Sequence, residues 1–248
     1  MKVSVIVSTC NSAKFLPTRL QNLLEQTINQ LVEIIVINSG AHADERDIVQ
    51  SFQREHGNIL YLETEKEGLY YSWNRAIGMA SGDYISNANT DDRLYPAALE
   101  VLSAALDQNP DIGLVYADSF RTQSLDDILF FDKTLKCDNW KIENRPDYSH
   151  MNLLLTCLCG PQPMWRKSLH DSHGLFDTTF TVAGDYDFWL RVSEDVFFLH
   201  VAEALGLVFD NPDGIENRNR RLLFEENKLI RRRHFGNKTG RQREATVT

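Results

Sequence analysis

Little in this sequence would staple or anchor it. Four cysteines stand among 248 residues, at 10, 137, 157 and 159, too few for the disulfide framework of a small secreted domain. Cys157 and Cys159 are not at a zinc spacing, and no Cys/His pair elsewhere matches them. Buried or free reduced thiols are expected. No apolar run is long enough to span a bilayer. The amino end, Met1-Lys2-Val3-Ser4-Val5-Ile6-Val7, enters a strand pattern with no separate leader region. The expected location is cytoplasmic, with a peripheral position at the inner membrane face left open. There is no Gly-x-Gly-x-x-Gly and no Walker A loop, so neither a dinucleotide fold nor a P-loop NTPase is supported. Repeats and low-complexity tracts are also missing.

Positive charge is scarce over most of the chain. Residues 1–217 hold 16 Lys and Arg against 32 Asp and Glu, a balance of −16. Residues 218–243 hold ten basic residues against Glu225 and Glu226, a balance of +8. An acidic body argues against nucleic acid as a partner. The basic segment, centred on Arg231-Arg232-Arg233, is expected to be a solvated terminal helix or a contact for anionic lipid or a protein.

What is present is an alternation of strands and helices. Val3 to Ser8 is nearly continuously apolar and β-branched, the mark of a parallel strand buried on both faces. Ser12 can cap the helix of 14–27, where Leu16, Leu20, Leu23 and Leu24 recur at helical spacing. Strands follow at 32–37 and 59–62, with a helix at 44–55 between them and another at 69–80 after them. A strand at 83–87 leads into Asn89-Thr90-Asp91-Asp92, with a helix from 95 to 106 beyond it and a strand at 112–116. Such alternation predicts a parallel sheet with right-handed crossovers. The polar strand ends 9–12, 38–40 and 89–92 then gather on one sheet edge, where ligands of open α/β sheets bind.

Beyond Asp118 the pattern weakens. Residues 119–150 read as an irregular insertion or hairpin. Pro161 and Pro163 predict an edge strand near 164–166, since proline is excluded from central strands. Gly174-Leu175-Phe176-Asp177 is a turn, 183–191 opens a helix, 196–209 gives one or two strands, 219–235 is helical, and 239–248 is expected to be disordered.

Asp91 and Asp92, adjacent just past a strand, suit a hard divalent cation; the alternative is a cap for the next helix. The surrounding pieces decide what they resemble. Val3-Ser4-Val5-Ile6-Val7-Ser8-Thr9-Cys10-Asn11, Glu33 to Gly40, Trp73-Asn74-Arg75-Ala76-Ile77, Ala80 to Asp92, Gly174 to Asp177 and Gly184-Asp185-Tyr186-Asp187-Phe188-Trp189-Leu190-Arg191 occur in this order. The chain resembles a family 2 glycosyltransferase over roughly residues 1–210. The resemblance implies an α/β GT-A fold: a Rossmann-like, mostly parallel sheet with helices on both faces, a smaller acceptor-side β region and a C-terminal helix. It implies one domain over 1–217, with a nucleotide-sugar-binding half at 1–117, an acceptor-side half at 118–217, and 218–248 as basic helix and tail.

The implied activity is inverting transfer of a sugar from a nucleotide-diphosphate donor, a UDP-sugar first among candidates, to a hydroxyl of a saccharide, lipid-linked or protein acceptor. Thr9, Asn11, Asn38, Asn74 and Asp91 would bind the nucleotide sugar. Asp92, with Asp91, would hold Mn²⁺ or Mg²⁺, and Asp185 would be the general base. Gln162 is assigned to the acceptor.

Three positions depart from the family pattern. Asn38 stands where many members have an acid, Asn89 replaces the first aspartate of the metal motif, and Trp73 replaces an arginine. Arg75 or Lys66 is then the candidate cation for the diphosphate. Phe209 to Gly214 lacks the histidine that ligates metal in some relatives. His200, His170 and His173 read as structural or capping residues. The rival from another class is a catalytically silent nucleotide- or sugar-binding subunit. A nucleotidyltransferase would need a Gly-rich basic loop after the first strand, and Ser8-Thr9-Cys10-Asn11-Ser12 is not one.

Overall fold

The first strand, β1 (Val3–Thr9), sits between two parallel neighbours and is buried on both faces. Val3, Val5 and Val7 point into one core, and Ile6 into the other, as the two-residue repeat of a strand requires. The computed structural model of the chain describes residues 2–28, 32–132, 134 and 140–235. Cys137 and the expected disordered stretch 239–248 lie outside the described residues.

The elements that follow β1 are α1 (Leu16–Leu24), β2 (Val32–Ser39), α2 (Ala43–Gln53), β3 (Ile59–Thr64), α3 (Leu69–Met79) and β4 (Tyr84–Asn87). Then come β5 (Arg93–Leu94), α4 (Ala98–Gln108), β6 (Ile112–Thr122), α5 (Leu125–Leu129), β7 (Lys141–Glu143) and α6 (His150–Leu155). The chain continues through β8 (Met164–Arg166), α7 (Leu169–His173), α8 (Gly184–Val192), β9 (Phe197–Phe209), α9 (Ile215–Arg218) and α10 (Arg220–Phe235).

Among the described residues the strands form one sheet in the order β3-β2-β1-β4-β8-β6-β9-β5, with β7 beside β6. The β3-β2-β1-β4 half is wholly parallel, as the alternation predicts. Thr9 and Asn38 are register partners at the carboxyl ends of β1 and β2. One face of the sheet packs on α1 and α4 through Leu16, Leu20, Leu99 and Leu102; the other packs on α3 and α8 through Trp73, Ile77, Phe188 and Trp189.

Several expectations are corrected. β8 is not an edge strand: it pairs antiparallel with both β4 and β6. The prolines stop at 163, so the three residues that enter the ladder, Met164-Trp165-Arg166, all carry backbone N–H donors. Residues 119–150 are not irregular throughout. β6 runs on to Thr122, and β7 folds back on it as an antiparallel partner. Residues 196–209, read as one or two strands, hold one, β9, which absorbs three register shifts against β6. Ser12 does not cap α1 with its side chain: its hydroxyl turns to the Cys10 carbonyl, and the N-cap position falls on Phe15. Asp91 and Asp92 do not cap α4, because β5 and Tyr95-Pro96 intervene and the N-cap is Ala97, without a side-chain bond.

Candidate active site

The parallel strands place the ends of β1, β2 and β4 on one edge. At the end of β1, Thr9 is buried and its hydroxyl donates to Glu45 Oε1 at 2.7 Å. Glu45 lies in the first turn of α2, fully buried, and its Oε1 also accepts the Ser12 amide at 2.5 Å. Asn11 follows with φ 55° and an exposed side chain. Asn38 is fully buried. Its amide nitrogen donates to the His42 carbonyl and to Tyr61 Oη, both at 2.9 Å, and its oxygen accepts the His42 amide at 3.1 Å. It shapes the 38–42 loop that closes this end of the groove. His42 Nε2 lies 3.7 Å from Cys10 Sγ, whose thiol burial pushes upward, while nearby Lys66 opposes that shift. Lys66 is thus within electrostatic reach of the β1 end. Arg75 instead pairs with Glu67 at 2.8 Å.

Beyond β4 the chain turns through Asn89-Thr90-Asp91-Asp92. Asp91 is half-buried and accepts from Asn211 Nδ2 at 2.7 Å. Asp92 is buried, with Asn89 Nδ2 at 2.9 Å from Oδ2 and the Phe209 amide at 3.2 Å from Oδ1. Burial, with the charge of Asp91 beside it, pushes the Asp92 carboxyl up to about 7. Beneath this turn lie two fully buried guanidiniums. Arg19 donates to the Asp92 carbonyl at 3.2 Å and to the amide oxygen of Gln162. Arg93 donates to the carbonyls of Thr90 at 2.8 Å and Asp92 at 2.6 Å. They clamp the backbone of the turn through the carbonyls of Thr90 and Asp92.

Two adjacent carboxylates fit a hard cation that completes its shell with water and phosphate oxygens. Burial and the neighbouring Asp91 charge together raise the Asp92 carboxyl, and a divalent ion beside the pair would favour its ionised form. No group of three or more Asp, Glu, His or Cys suited to a metal occurs among the described residues.

Asp185 begins α8, half-buried. Tyr70 of α3 is buried; its hydroxyl, whose one proton is shared between two acceptors, lies 2.7 Å from the Val182 carbonyl and 3.1 Å from Asp185 Oδ1. Gly184 makes this approach possible, since a Cβ there would lie 2.8 Å from the Tyr70 ring. Burial pushes the Asp185 carboxyl up to about 6, and Glu216 of α9 adds to the rise. Glu216 and Asn211 are five residues apart, a reach of at most roughly 17 Å. Asn211 bonds Asp91, and Glu216, five residues on, lies within electrostatic reach of Asp185.

Other expected residues are engaged elsewhere. Asn74 exchanges two bonds with the backbone of Phe176, at 2.9 and 3.0 Å, and so fixes the 174–177 turn. Gln162 holds Arg19 and lies beside Gly206. Trp165 is core, its Nε1 donating to His170 Nε2 at 2.9 Å. His170 is buried, with Nδ1 3.0 Å from the Gly174 carbonyl, and burial lowers it to about 4. His200 lies between Asp118 and Asp147, at 2.8 and 3.0 Å. Sequence reasoning missed Tyr70, Glu45, Arg19, Arg93 and Asn211.

Residues 4–172 match the family model described as glycosyl transferase family 2. This chain belongs to that family. The match ends before Asp185. An uncharacterized glycosyltransferase of Methanocaldococcus jannaschii is 25% identical over 213 residues, 85% of this chain and 71% of its own length. The crystal structure of S. aureus TarS 1-349 in complex with UDP-GlcNAc superposes with a TM-score of 0.68 at 17% identity, covering 95% of this chain and 72% of that one. The mannosyltransferase PcManGT from Pyrobaculum calidifontis, in complex with GDP-Man and Mn²⁺, superposes with a TM-score of 0.67 at 18% identity, covering 92% and 64%. In another TarS crystal structure the present chain spans 43% of the TarS chain. The family 2 chain is thus an enzyme of glycosyl transfer with the GT-A fold of these neighbours.

Proposed function

We propose that this family 2 enzyme transfers a sugar from a nucleoside-diphosphate donor to an acceptor hydroxyl with inversion, using Asp185 as the single general base. The observation that carries the reading is Asp185 itself. It is a half-buried carboxylate raised to about 6 and within hydrogen-bond reach of Tyr70, and Glu216, within its electrostatic reach, lies five residues from the Asn211 that bonds Asp91. A base in that range is ionised at neutral pH yet holds a proton better than an ordinary aspartate, which suits proton removal from an attacking hydroxyl. One carboxylate is sufficient, because inversion needs no covalent intermediate on the enzyme.

The donor enters over the ends of β1 and β2. Thr9, Asn11 and the Asn38 loop shape the nucleoside side, and Lys66 supplies positive charge there. Asp91 and Asp92 would hold Mn²⁺ or Mg²⁺, which stabilises the charge gathering on the leaving diphosphate. Asn74 and Gln162 act at one remove, through the 174–177 turn and through Arg19. A UDP-sugar is the first donor to test, followed by a GDP-sugar, since relatives of this fold are found with UDP-GlcNAc and with GDP-Man.

Two measurements test this reading. Thermal stability is followed with a panel of nucleoside diphosphates and nucleotide sugars, with and without Mn²⁺. A ligand at about 100 times its dissociation constant adds roughly 2.7 kcal/mol, so a Mn²⁺-dependent rise with one base is expected. Asp185→Asn should lower turnover about 10²- to 10⁴-fold and leave donor binding intact. Unchanged turnover would remove the base assignment. Donor binding without turnover in the native chain would favour a silent binding subunit.

A further inference from the structure

We propose that Glu226, on the terminal helix α10, is a positioning residue for the base: its carboxylate holds the loop that delivers Asp185 to the cleft. The inference rests on the assignment of Asp185 above.

α8 begins without a side-chain cap of its own, since its N-cap is Ala183. The amides entering such a helix need acceptors. Here the acceptor arrives from another element. Thr181 N donates to Glu226 Oε1 at 2.7 Å, and Val182 N and Ala183 N donate to Oε2, each at 2.9 Å. Glu226 is buried, while its neighbour Glu225, the other acidic residue of 218–243, is exposed. A carboxylate at this place also meets the positive end of α8.

The grip is two-sided. Glu226 takes the amide of Val182, and Tyr70 donates to the carbonyl of the same residue. Tyr70 then reaches Asp185, three residues further on. The base is thus held between a hydroxyl from α3 and a carboxylate from α10. α10 is itself fixed by fully buried Ile230, by Arg231 Nη1 at 3.2 Å from the Leu155 carbonyl, and by Arg233 Nη1 at 3.1 Å from Asp177 Oδ2. Glu226→Gln keeps the shape but turns an N–H₂ toward backbone N–H donors, so at least one amide loses its acceptor and the loop loosens. Misplacement of a catalytic group by about 1 Å can cost on the order of 100-fold in rate.

The test compares Glu226→Gln, Glu226→Asp, Ile230→Val and Asp185→Asn in the full chain. One readout is release of UDP or GDP from UDP-GlcNAc or GDP-mannose, resolved into kcat and KM. The second needs no turnover: a ¹³C NMR titration of the aspartate carboxyls, in which the Asp185 signal is the one lost in Asp185→Asn. Glu226→Gln is expected to lower kcat by 10- to 100-fold with donor KM within twofold. Its Asp185 titration should move toward the ordinary aspartate range as water enters the loosened loop. Glu226→Asp should recover part of both. Ile230→Val, which trims a buried side chain of α10 and touches none of the 181–183 amides, should lower the melting temperature and move neither.

A Glu226→Gln protein that is less stable but keeps kcat and the Asp185 titration would overturn the proposal. If Glu226→Gln does not fold, Glu226→Asp decides: the native kcat and titration in that variant would overturn it too. Full turnover by Asp185→Asn would instead remove the base assignment on which the proposal stands. An inactive Asp185→Asn beside an unaltered Glu226→Gln would sink the positioning role alone.

Discussion

On the proposed base assignment Asp185 must be ionised to accept a proton, so catalysis should fall as pH drops through about 6, the range to which burial raises its carboxyl. The hydrogen bond from Tyr70 acts in the opposite direction, favouring the charged form. Removing it with Tyr70→Phe should therefore push the acidic limb of kcat/KM upward, by about one pH unit on the usual strength of a bond to a charged group. A pH–rate profile checks this, and a limb that stays in place or moves down would contradict it. Gly184→Ala tests the same contact from the other side. Its methyl group must displace the Tyr70 ring, and the limb should shift in the same direction. Asp91, Asp92 and Asp185 could be nominated from the sequence because each sits within a stretch whose neighbours resemble the family. The groups that hold them were not. Arg19 shares a helix face with Leu16, Leu20 and Leu23, and Glu226 shares one with Leu223 and Ile230. Glu45 precedes Ile48 and Val49 at the same helical spacing. A lone charge on an apolar stripe was the available signal. A charge run at a chain end reads as solvated face, so the buried glutamate in it went unnoticed.

At the scale of elements, the far end of the parallel sheet is tied by one carboxylate. Glu33 of β2 is buried and accepts from Lys2 at 2.8 Å and from the Ser81 amide at 2.6 Å and Ser81 hydroxyl at 2.9 Å, as well as from Ser4. It thereby joins the starts of β1 and β2 to the approach to β4. Burial opposes its ionisation, but these bonds outweigh that and hold it down at about 2. A depressed carboxyl contributes stability that is fully present above its unfolded value, about 4.3, and is lost as pH falls toward the folded one. Glu33→Gln should lower the melting temperature at pH 7 and flatten the stability profile between about pH 4.5 and 2. Chemical denaturation across that range measures both effects, and an unchanged acid slope would refute the assignment. The parallel half was legible because its strands read as uninterrupted apolar runs. The mixed half was obscured because β8 contributes three residues immediately after two prolines, too few to show a period. Its central place comes from β4 and β6 accepting it on both sides, which local pattern does not contain.

Across the whole molecule, charge is divided by position. The acidic body carries Asp91, Asp92 and Asp185, and the basic segment begins at α9 and runs along α10. α10 turns Ile230, Glu226 and His234 inward. Its outer side exposes Arg221, Lys228 and Arg232, flanked by Phe224 at 62% and Leu229 at 46% exposure. No helix among the described residues is long and apolar enough to cross a membrane. A basic helix face with flanking aromatic and aliphatic side chains instead suits the surface of an anionic bilayer, where each Lys or Arg contributes about 1 kcal/mol. The protein should therefore co-sediment with vesicles containing phosphatidylglycerol, weakly or not at all with phosphatidylcholine alone, and dissociate as salt rises past the screening range. Replacing Arg221, Lys228 and Arg232 together by Glu should abolish sedimentation while leaving donor-dependent thermal stabilisation unchanged, because none of the three bonds the loop before Asp185. Equal binding to neutral and anionic vesicles, or binding that survives the triple replacement, would assign the basic face to a protein partner or to solvent. A positive result would carry a geometric consequence: the helix that meets the bilayer on its outer side holds the Asp185 loop on its inner side, so an acceptor presented at a membrane would arrive beside the element that orders the base.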